Sequence, residues 1–291
     1  MTYDVIVIGS GPAGISASLY LKRANLETLI ISKGIGTLEK VEKIENYYGL
    51  DKILNGRELQ KIGEEQAKKI GIEIKKEEVV QIEYDGKFNV KTLNHEYKAI
   101  SIIIATGNIK KSLQIKGIKE FEGRGISYCA TCDGFFFKGK NVAVLGSKEY
   151  AIHEIEELLP IVNSVTMLTN GEKPIEKRLD NVKVEEKKIK EIIGNSKIEK
   201  IKFEDDTTKD IDGLFIALGT ASGSDLAKKI GINLNKDGRI IVDNNMKTSL
   251  DGLYACGDCV ENDNFQIAKA VYEGMISAKS VIKYIKDNKN K

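Results

Sequence analysis

The sequence predicts an α/β protein built from two Rossmann-like domains, the second inserted into the first. Three observations carry this reading. Two short apolar strands, at residues 3–8 and 141–145, each run directly into a turn opened by glycine and then into a helical pattern. Two further buried-type strands, 101–106 and 213–218, each end at a glycine. At 291 residues the chain is long enough for two separate cores.

Taken in order, 3–8 is a strand, 9–14 a tight turn, and 15–24 a helix with Leu19 on its inner face. Residues 28–32 form the next strand and complete a βαβ unit. A loop over 33–50 leads to a helix at 56–70. Strand-like alternation follows at 73–82, 87–92 and 96–99, and then the buried run 101–106 closed by Gly107. A new unit begins near Ser112. It holds a strand-turn-helix at 141–159, a strand at 164–168, hairpin-like segments between 182 and 203, and the strand 213–218. The last segment carries Leu253-Tyr254-Ala255-Cys256-Gly257-Asp258 and a helix over 266–285 whose apolar face includes Ala270, Met275, Ala278 and Ile282. Crossings near 110–117 and 243–249 divide the chain into a discontinuous domain of 1–111 with 249–291, and a central domain of 112–248. Residues 286–291 are expected to fray.

Composition excludes several classes. Basic and acidic residues nearly balance, 45 against 43, which argues against a dedicated nucleic-acid binder. The apolar runs fall far short of the ~18–20 residues that a membrane span needs. With a strand starting at residue 3 there is no room for a signal peptide, so the cytoplasm is the expected compartment. In a reducing cytosol a CxxC pair reads as catalytic or metal-binding rather than as a structural bridge.

The first turn is complete. Gly9, Gly11 and Gly14 supply a tight turn, close backbone approach to a pyrophosphate, and close helix–strand packing. The helix that begins after Gly11, through Pro12 and Ala13, points its free N–H groups at that anion. No acidic residue ends the second strand, where Ser32 and Lys33 stand, an unusual choice for NAD. The second turn, Gly146-Ser147-Lys148-Glu149-Tyr150-Ala151, has Lys148 in place of the middle glycine.

Cys129-Ala130-Thr131-Cys132-Asp133-Gly134 carries the redox signature. Thiol–disulfide exchange needs an accessible thiolate and a second thiol close enough to resolve the mixed disulfide. A neighbouring carboxyl group, Asp133, can move the proton. Cys256 and Cys259 form a second CxxC. Four thiols could bind zinc, but the second pair sits at an apolar strand end and reads as packing. His95 and His153, the two histidines, read as surface residues rather than bases, leaving Asp133 as the proton carrier.

These residues closely resemble the low-molecular-weight thioredoxin reductases, and the match runs over nearly the whole chain. It rests on 9–14, Ile44-Glu45-Asn46-Tyr47, Ile104-Ala105-Thr106-Gly107, Gly123-Arg124-Gly125, Cys129 to Phe136, residues 213–219, Thr248-Ser249, Gly257-Asp258 and Gln266. The resemblance implies a three-layer fold of the FAD/NAD(P)-binding type and FAD held between the N- and C-terminal segments. Gly9, Gly11, Pro12, Ala13 and Gly14 would hold its pyrophosphate. Asn46, Ala105, Thr106 and Gly107 would line the flavin, and Gly257, Asp258, Gln266 and Ile267 would meet the ribityl chain and ring. It further implies that Cys132 faces the flavin, Cys129 attacks the thioredoxin disulfide, and Asp133 is the acid/base. A homodimer whose central domain rotates is implied too.

The chain departs from that pattern in its loop after Ser32, in Gly36-Thr37-Leu38 and at Tyr48. The larger departure is the NADPH site. The family's Gly-x-Gly-x-x-Ala is broken by Lys148, and its His-Arg-Arg cluster aligns with Thr169-Asn170-Gly171. A side chain at 148 blocks backbone approach to a pyrophosphate, and the 2′-phosphate loses its arginine clamp. Lys173, Lys177 and Arg178 lie nearby as alternative phosphate ligands, so NADPH use stays open as an alternative. The leading expectation is the branch of the family that takes electrons from reduced ferredoxin, with Lys110, Lys111 and Lys116 as candidates for a ferredoxin-facing patch. A flavin dithiol oxidase passing electrons to oxygen is the second alternative. A non-catalytic flavoprotein is disfavoured by the intact redox motif.

Overall fold

The computed structural model of the chain describes residues 2–34, 36–107, 114–176, 179–219, 221–261 and 264–289. In chain order the elements are β1 (Thr2–Ile8), α1 (Pro12–Arg23), β2 (Thr28–Ile31), α2 (Gly56–Lys69), β3 (Glu73–Lys75), β4 (Val79–Tyr84), β5 (Phe88–Thr92) and β6 (Glu96–Ile104). Next come α3 (Ile118–Phe121), β7 (Ile126–Ser127), α4 (Ala130–Asp133), β8 (Asn141–Leu145), α5 (Glu149–Leu158), β9 (Ser164–Leu168) and β10 (Val182–Glu185). The chain continues through β11 (Ile189–Gly194), β12 (Ile198–Phe203), β13 (Thr208–Asp210), β14 (Gly213–Ile216), α6 (Gly223–Ile230), β15 (Leu253–Ala255) and α7 (Ile267–Lys289).

Two compact units result, Met1–Ile109 with Ser222–Lys291, and Lys110–Ala221. In the first, the sheet order is β3-β2-β1-β6-β5-β4, with β15 also on β6. The strands β3, β2, β1, β6 and β15 are parallel. Their C-terminal ends gather on one edge, where Ala105 N–H bonds Ile8 C=O at 2.8 Å and Cys256 N–H bonds Ile104 C=O at 3.0 Å. Val5, Val7, Ile30 and Ile103 from this sheet pack with Ala17 and Leu21 of α1 and with Ala278 and Val281 of α7. In parallel strands of this kind both faces are covered, which is why the sequence shows continuous apolar runs.

The expected separate strands at 96–99 and 101–106 are one strand, β6. Nothing at Ile100 interrupts it, and Ser101 Oγ donates to Gly252 C=O at 2.6 Å, so the polar residue is satisfied inside the sheet. Conversely, the run 73–82 splits into β3 and β4, which lie at opposite edges of the sheet. At the joint Lys76 pairs with Glu64, and Glu78 with Lys33.

In the second unit the order β10-β9-β8-β14-β7 is all parallel, and β11-β12-β13 forms a separate antiparallel sheet. The hairpin reading of 182–203 therefore holds only from β11 onward. Val182 pairs with Val165 in parallel, and alternation along a strand does not reveal the direction of its neighbour.

The second crossing lies between Ala221 and Ser222 rather than near 243–249. The unanticipated helix α6 explains this. It is fixed at its start by a capping box between Ser222 and Asp225, and Lys229 Nζ donates to Val80 C=O of β4 at 3.1 Å. Bonds from Ile240 N–H to Cys259 C=O and from Ala255 N–H to Met246 C=O tie the following segment to the same unit. The first division falls at Ile109/Lys110, among residues outside those described. Among the described residues no helix is long and apolar enough to cross a membrane.

The α2 helix also starts on a capping box, with Asn55 accepting from Glu58 N–H at 2.9 Å and Glu58 accepting from Asn55 N–H at 2.8 Å. Asn55→Ala should cost about 1 kcal/mol and lower the melting temperature by roughly 2–4 °C. A calorimetric melt showing no change would mean that the cap contributes nothing to the unit's stability.

Candidate active site

The redox turn is built on α4. Cys129 is its N-cap residue in extended conformation, and Cys132 N–H points back at Cys129 Sγ, 3.1 Å away. The two sulfurs form a disulfide with Cα atoms 5.3 Å apart. Cys129 is 4% exposed, whereas Cys132 is exposed, so the accessible sulfur in this arrangement is that of Cys132. Ser127, at the end of β7, accepts from Cys129 N–H at 3.1 Å and donates to Asp133 Oδ2 at 2.6 Å. Asp133 is thereby held against the turn by a hydroxyl that also touches the Cys129 backbone.

The glycine turn after β1 lies at the C-terminal edge of the first unit's sheet. A Cβ on Gly9 would stand 2.3 Å from Ala105 C=O, and one on Gly14 would stand 2.0 Å from Gly9 C=O. Gly11 differs, because a Cβ there would meet nothing within 4 Å. It is the N-cap of α1, has no side-chain cap, and is followed by Pro12 at the first helical position. The first backbone N–H groups of α1, those of Ala13 and Gly14, therefore have no side-chain cap, and the turn residue Gly11 in front of them borders open space.

Ala105, Thr106 and Gly107 follow β6 on the same edge, and Gly257 and Asp258 follow β15. Gly257 N–H bonds Glu273 Oε2 at 2.8 Å. Asn46 Nδ2 reaches Gln266 Oε1 at 3.3 Å, and Ile267 opens α7. Burial pushes the half-buried Asp258 carboxyl above the usual carboxylate range, and Glu273 adds to the shift while Lys269 and Arg239 oppose it.

The turn after β8 keeps its outer positions. A Cβ on Gly146 would meet Ala217 C=O at 2.1 Å and Ala151 Cβ at 2.8 Å, so strand and helix still pack closely. Its middle is different. Lys148 is the exposed N-cap of α5, and Glu149 occupies the first turn. Ser147 Oγ donates to Glu172 Oε2 at 2.5 Å, and Ile175 N–H bonds Ser147 C=O at 3.0 Å. Asn170 stands in the left-handed region at φ +52° and accepts from Ile189 N–H at 2.7 Å. Lys177 and Arg178 lie outside the described residues.

Cys256 and Cys259 are free and buried, and burial raises both thiols, that of Cys259 to about 12. Among the described residues no group of three or more His, Cys, Asp or Glu is placed to hold a metal ion. His95 is exposed with Nδ1 3.1 Å from Glu77. His153 corrects the surface reading, being 7% exposed within α5. Its position on the buried side of the helix is set by the packing of Ile152 and Ile155, which a single histidine in the sequence does not reveal.

The sequence profile of the pyridine nucleotide-disulphide oxidoreductases matches residues 3–274. A thioredoxin reductase of Bacillus subtilis (strain 168) is 38% identical, covering 98% of this chain and 95% of the relative. The chain belongs to the thioredoxin reductase family. Among solved structures, it superposes on the atypical thioredoxin reductase TRi of Desulfovibrio vulgaris Hildenborough with TM-score 0.93 at 35% identity, covering 98% of each chain. A ferredoxin-flavin thioredoxin reductase of Clostridium acetobutylicum gives TM-score 0.75 at 30% identity, covering 100% of this chain and 99% of that one.

As a thioredoxin reductase-like flavoprotein, the protein uses FAD, and the first glycine turn fits it. The open space at Gly11 in front of uncapped α1 N–H groups is the room a pyrophosphate requires. An acid from α2 reaches the first glycine turn from the side. Glu64 accepts from Ser10 Oγ at 3.0 Å, and Ser10 Oγ donates to Ser32 Oγ at 3.0 Å. Burial alone would raise Glu64, yet hydrogen bonds from Lys76, Gln60 and Ser10 hold it below the usual range. Glu64 and Glu273 were missed in the sequence because each reads as an ordinary helix carboxylate, and only the turn of the chain brings them to the strand ends.

Two glycine variants separate binding from folding. Gly11→Ala should leave the apoprotein melting temperature within about 1 °C, since the added methyl group meets no protein atom. It should weaken FAD at least roughly tenfold by flavin fluorescence titration. Gly14→Ala should destabilise the apoprotein by about 2 kcal/mol or more, and equal effects of the two variants on melting would contradict this division.

Asp258 carries a pH signature. A carboxyl whose folded pKa is raised loses stability as pH rises from its unfolded value through its folded one. Asp258→Asn should therefore stabilise the apoprotein above that window and leave it unchanged below, as read from melts across pH. A uniform shift at every pH would point to a packing effect instead.

Proposed function

We propose that this thioredoxin reductase family member takes its electrons from reduced ferredoxin rather than from NADPH, and delivers them to thioredoxin through Cys129 and Cys132. The observation that carries the donor assignment is the second nucleotide-type turn. Where a dinucleotide needs bare backbone and positive charge, this chain has the Lys148 side chain at the N-cap, the Glu172 carboxylate bonded to Ser147, and Thr169-Asn170-Gly171 in place of arginines. A carboxylate at that point repels phosphate, and the tight backbone turn at Asn170 and Gly171 offers no bidentate clamp. Both halves of the nucleotide contact are altered together, while the flavin turn and the redox turn are intact. The likeness to the Clostridium acetobutylicum ferredoxin-flavin enzyme points the same way.

Gly9, Gly11, Pro12, Ala13 and Gly14 hold the pyrophosphate. Asn46, Ala105, Thr106 and Gly107 line the ring, and Gly257, Asp258, Gln266 and Ile267 complete the site. The chemistry that bound FAD supplies is the conversion of single-electron delivery into two-electron transfer. Opening the Cys129–Cys132 disulfide takes two electrons and two protons, and Asp133, fixed by Ser127, moves a proton at the turn. The Cys129 thiolate then attacks the thioredoxin disulfide, and Cys132 resolves the mixed disulfide, releasing dithiol thioredoxin and reforming the Cys129–Cys132 bond. For this the α4 turn must expose Cys129, buried in the oxidised arrangement. Phe135 and Phe136, 74% and 71% exposed just beyond the turn, offer an apolar surface to that partner. Lys116 is bound to Glu191 at 2.9 Å and so is not a free cation for ferredoxin, and Lys110 and Lys111 lie outside the described residues. The working form is a homodimer by family analogy.

The test is anaerobic. FAD-loaded protein with thioredoxin present receives NADPH, NADH or reduced ferredoxin in separate cuvettes, with flavin absorbance and thioredoxin thiols followed. Bleaching and thiol formation with ferredoxin alone are expected. Rapid bleaching by micromolar NADPH would overturn the donor assignment. Peroxide formation from a small dithiol in air, without turnover from ferredoxin, would make the protein an oxidase.

A further inference from the structure

Asp133 is not the only carboxylate bonded to the redox turn. Glu154 of α5 is 1% exposed, and its Oε2 accepts from Ala130 N–H at 2.6 Å. Ala130 directly follows Cys129, so the two carboxylates are tied to consecutive backbone N–H groups at the Cys129 end of the turn, Asp133 through Ser127 and Glu154 directly. The Ser127 hydroxyl accepts from Cys129 N–H and donates to Asp133, and buried Glu154 accepts from the very next N–H along the chain.

We propose that Glu154 is a positioning residue that keeps the reduced Cys129 thiol protonated, by holding a buried negative charge against the peptide that follows it. The proposal rests on the disulfide-reductase reading but not on the identity of the electron donor. A buried charge acts on its neighbours through a low effective dielectric, and a like charge raises a nearby thiol pKa. The short bond from Ala130 N–H stabilises the ionised carboxylate, as a backbone donor does for any buried anion. Titratable groups around the turn include Asp133 on α4, Tyr150 and His153 on α5, and Tyr128 with its partner Glu122 beside β7. Tyr150 donates to Tyr128 C=O at 3.1 Å, and Tyr128 donates to Glu122. His153 is the one group of these that can carry positive charge.

The two acids then have separate tasks. Glu154, away from solvent, keeps Cys129 a thiol and therefore a poor nucleophile toward small oxidants. Asp133, half-exposed, takes the proton when the partner disulfide arrives. The charge also disfavours the dithiol once it ionises, so it adds reducing strength at alkaline pH.

The experiment uses FAD-loaded Cys132→Ser protein, in which Cys129 is a free thiol, and follows the rate of its alkylation by iodoacetamide against pH, with the site confirmed by mass spectrometry. Glu154→Gln on that background should move the midpoint down by about one pH unit, giving roughly tenfold more thiolate below it. The melting temperature should hold, because the amide oxygen still accepts from Ala130 N–H. Glu154→Asp, which keeps the charge, should restore the parent profile. An unmoved midpoint with Glu154→Gln would overturn the proposal, as would a shift produced by His153→Asn and not by Glu154→Gln. If Glu154→Gln fails to retain flavin, isotope-edited infrared spectroscopy of the unsubstituted residue decides. An ionised carboxylate at neutral pH supports the proposal and a protonated carboxyl overturns it.

Discussion

Everything in the first unit depends on backbone meeting backbone without side chains between. At Gly9 and Gly14 the missing Cβ lets α1 sit against the ends of β1 and β6. At Gly274 the same device works between helices, since a Cβ there would stand 2.2 Å from Ala13 C=O. That contact pulls α7 onto the first turn of α1 and brings the C-terminal Gly257-Asp258 turn beside the N-terminal glycine turn. The two extremes of the chain thus meet at one edge of the sheet, and the unit inserted between them has a core of its own.

The inserted unit keeps the same strand-turn-helix template and reverses its electrostatics. Gly146 and Ala151 still serve packing, which is why the fold survives. Around this second turn stand Lys148, Glu149 and Glu172, two of them acidic. Packing residues and ligand residues sit side by side in such a motif but answer to different demands. Changing the second kind leaves the packing contacts of Gly146 and Ala151 in place.

Much of this was legible in the sequence. The strands β1, β8 and β9, the helix α2 and both glycine turns follow from periodicity and from residues with few uses other than a turn. The disulfide between Cys129 and Cys132 was readable from their spacing for the same reason. What escaped was whatever depends on partners distant in the chain. Periodicity could not say that β10 joins β9 in parallel, nor that β3 and β4 part to opposite edges. Helix α6 was missed because its eight residues are short, although its Ser222–Asp225 cap and Gly231 mark both ends. Missing it moved the second domain crossing by more than twenty residues. Glu64, Glu154 and Glu273 look alike in the sequence, and only the folded chain sets them apart: Glu64 gathers the side chains of Ser10, Gln60 and Lys76, while buried Glu154 and Glu273 accept from backbone N–H groups.

The four cysteines are two copies of one spacing, and the fold sorts them by solvent. Cys129 and Cys132 close a disulfide of which Cys132 alone is exposed, while Cys256 and Cys259 are both sealed behind β15, with burial holding both thiols far from ionisation. The folded protein therefore shields Cys256 and Cys259 from a thiol reagent, whereas the unfolded, reduced chain presents all four cysteines. A thiol count is thus a direct gauge of whether the flavin-binding unit is intact, independent of any cofactor or assay of turnover.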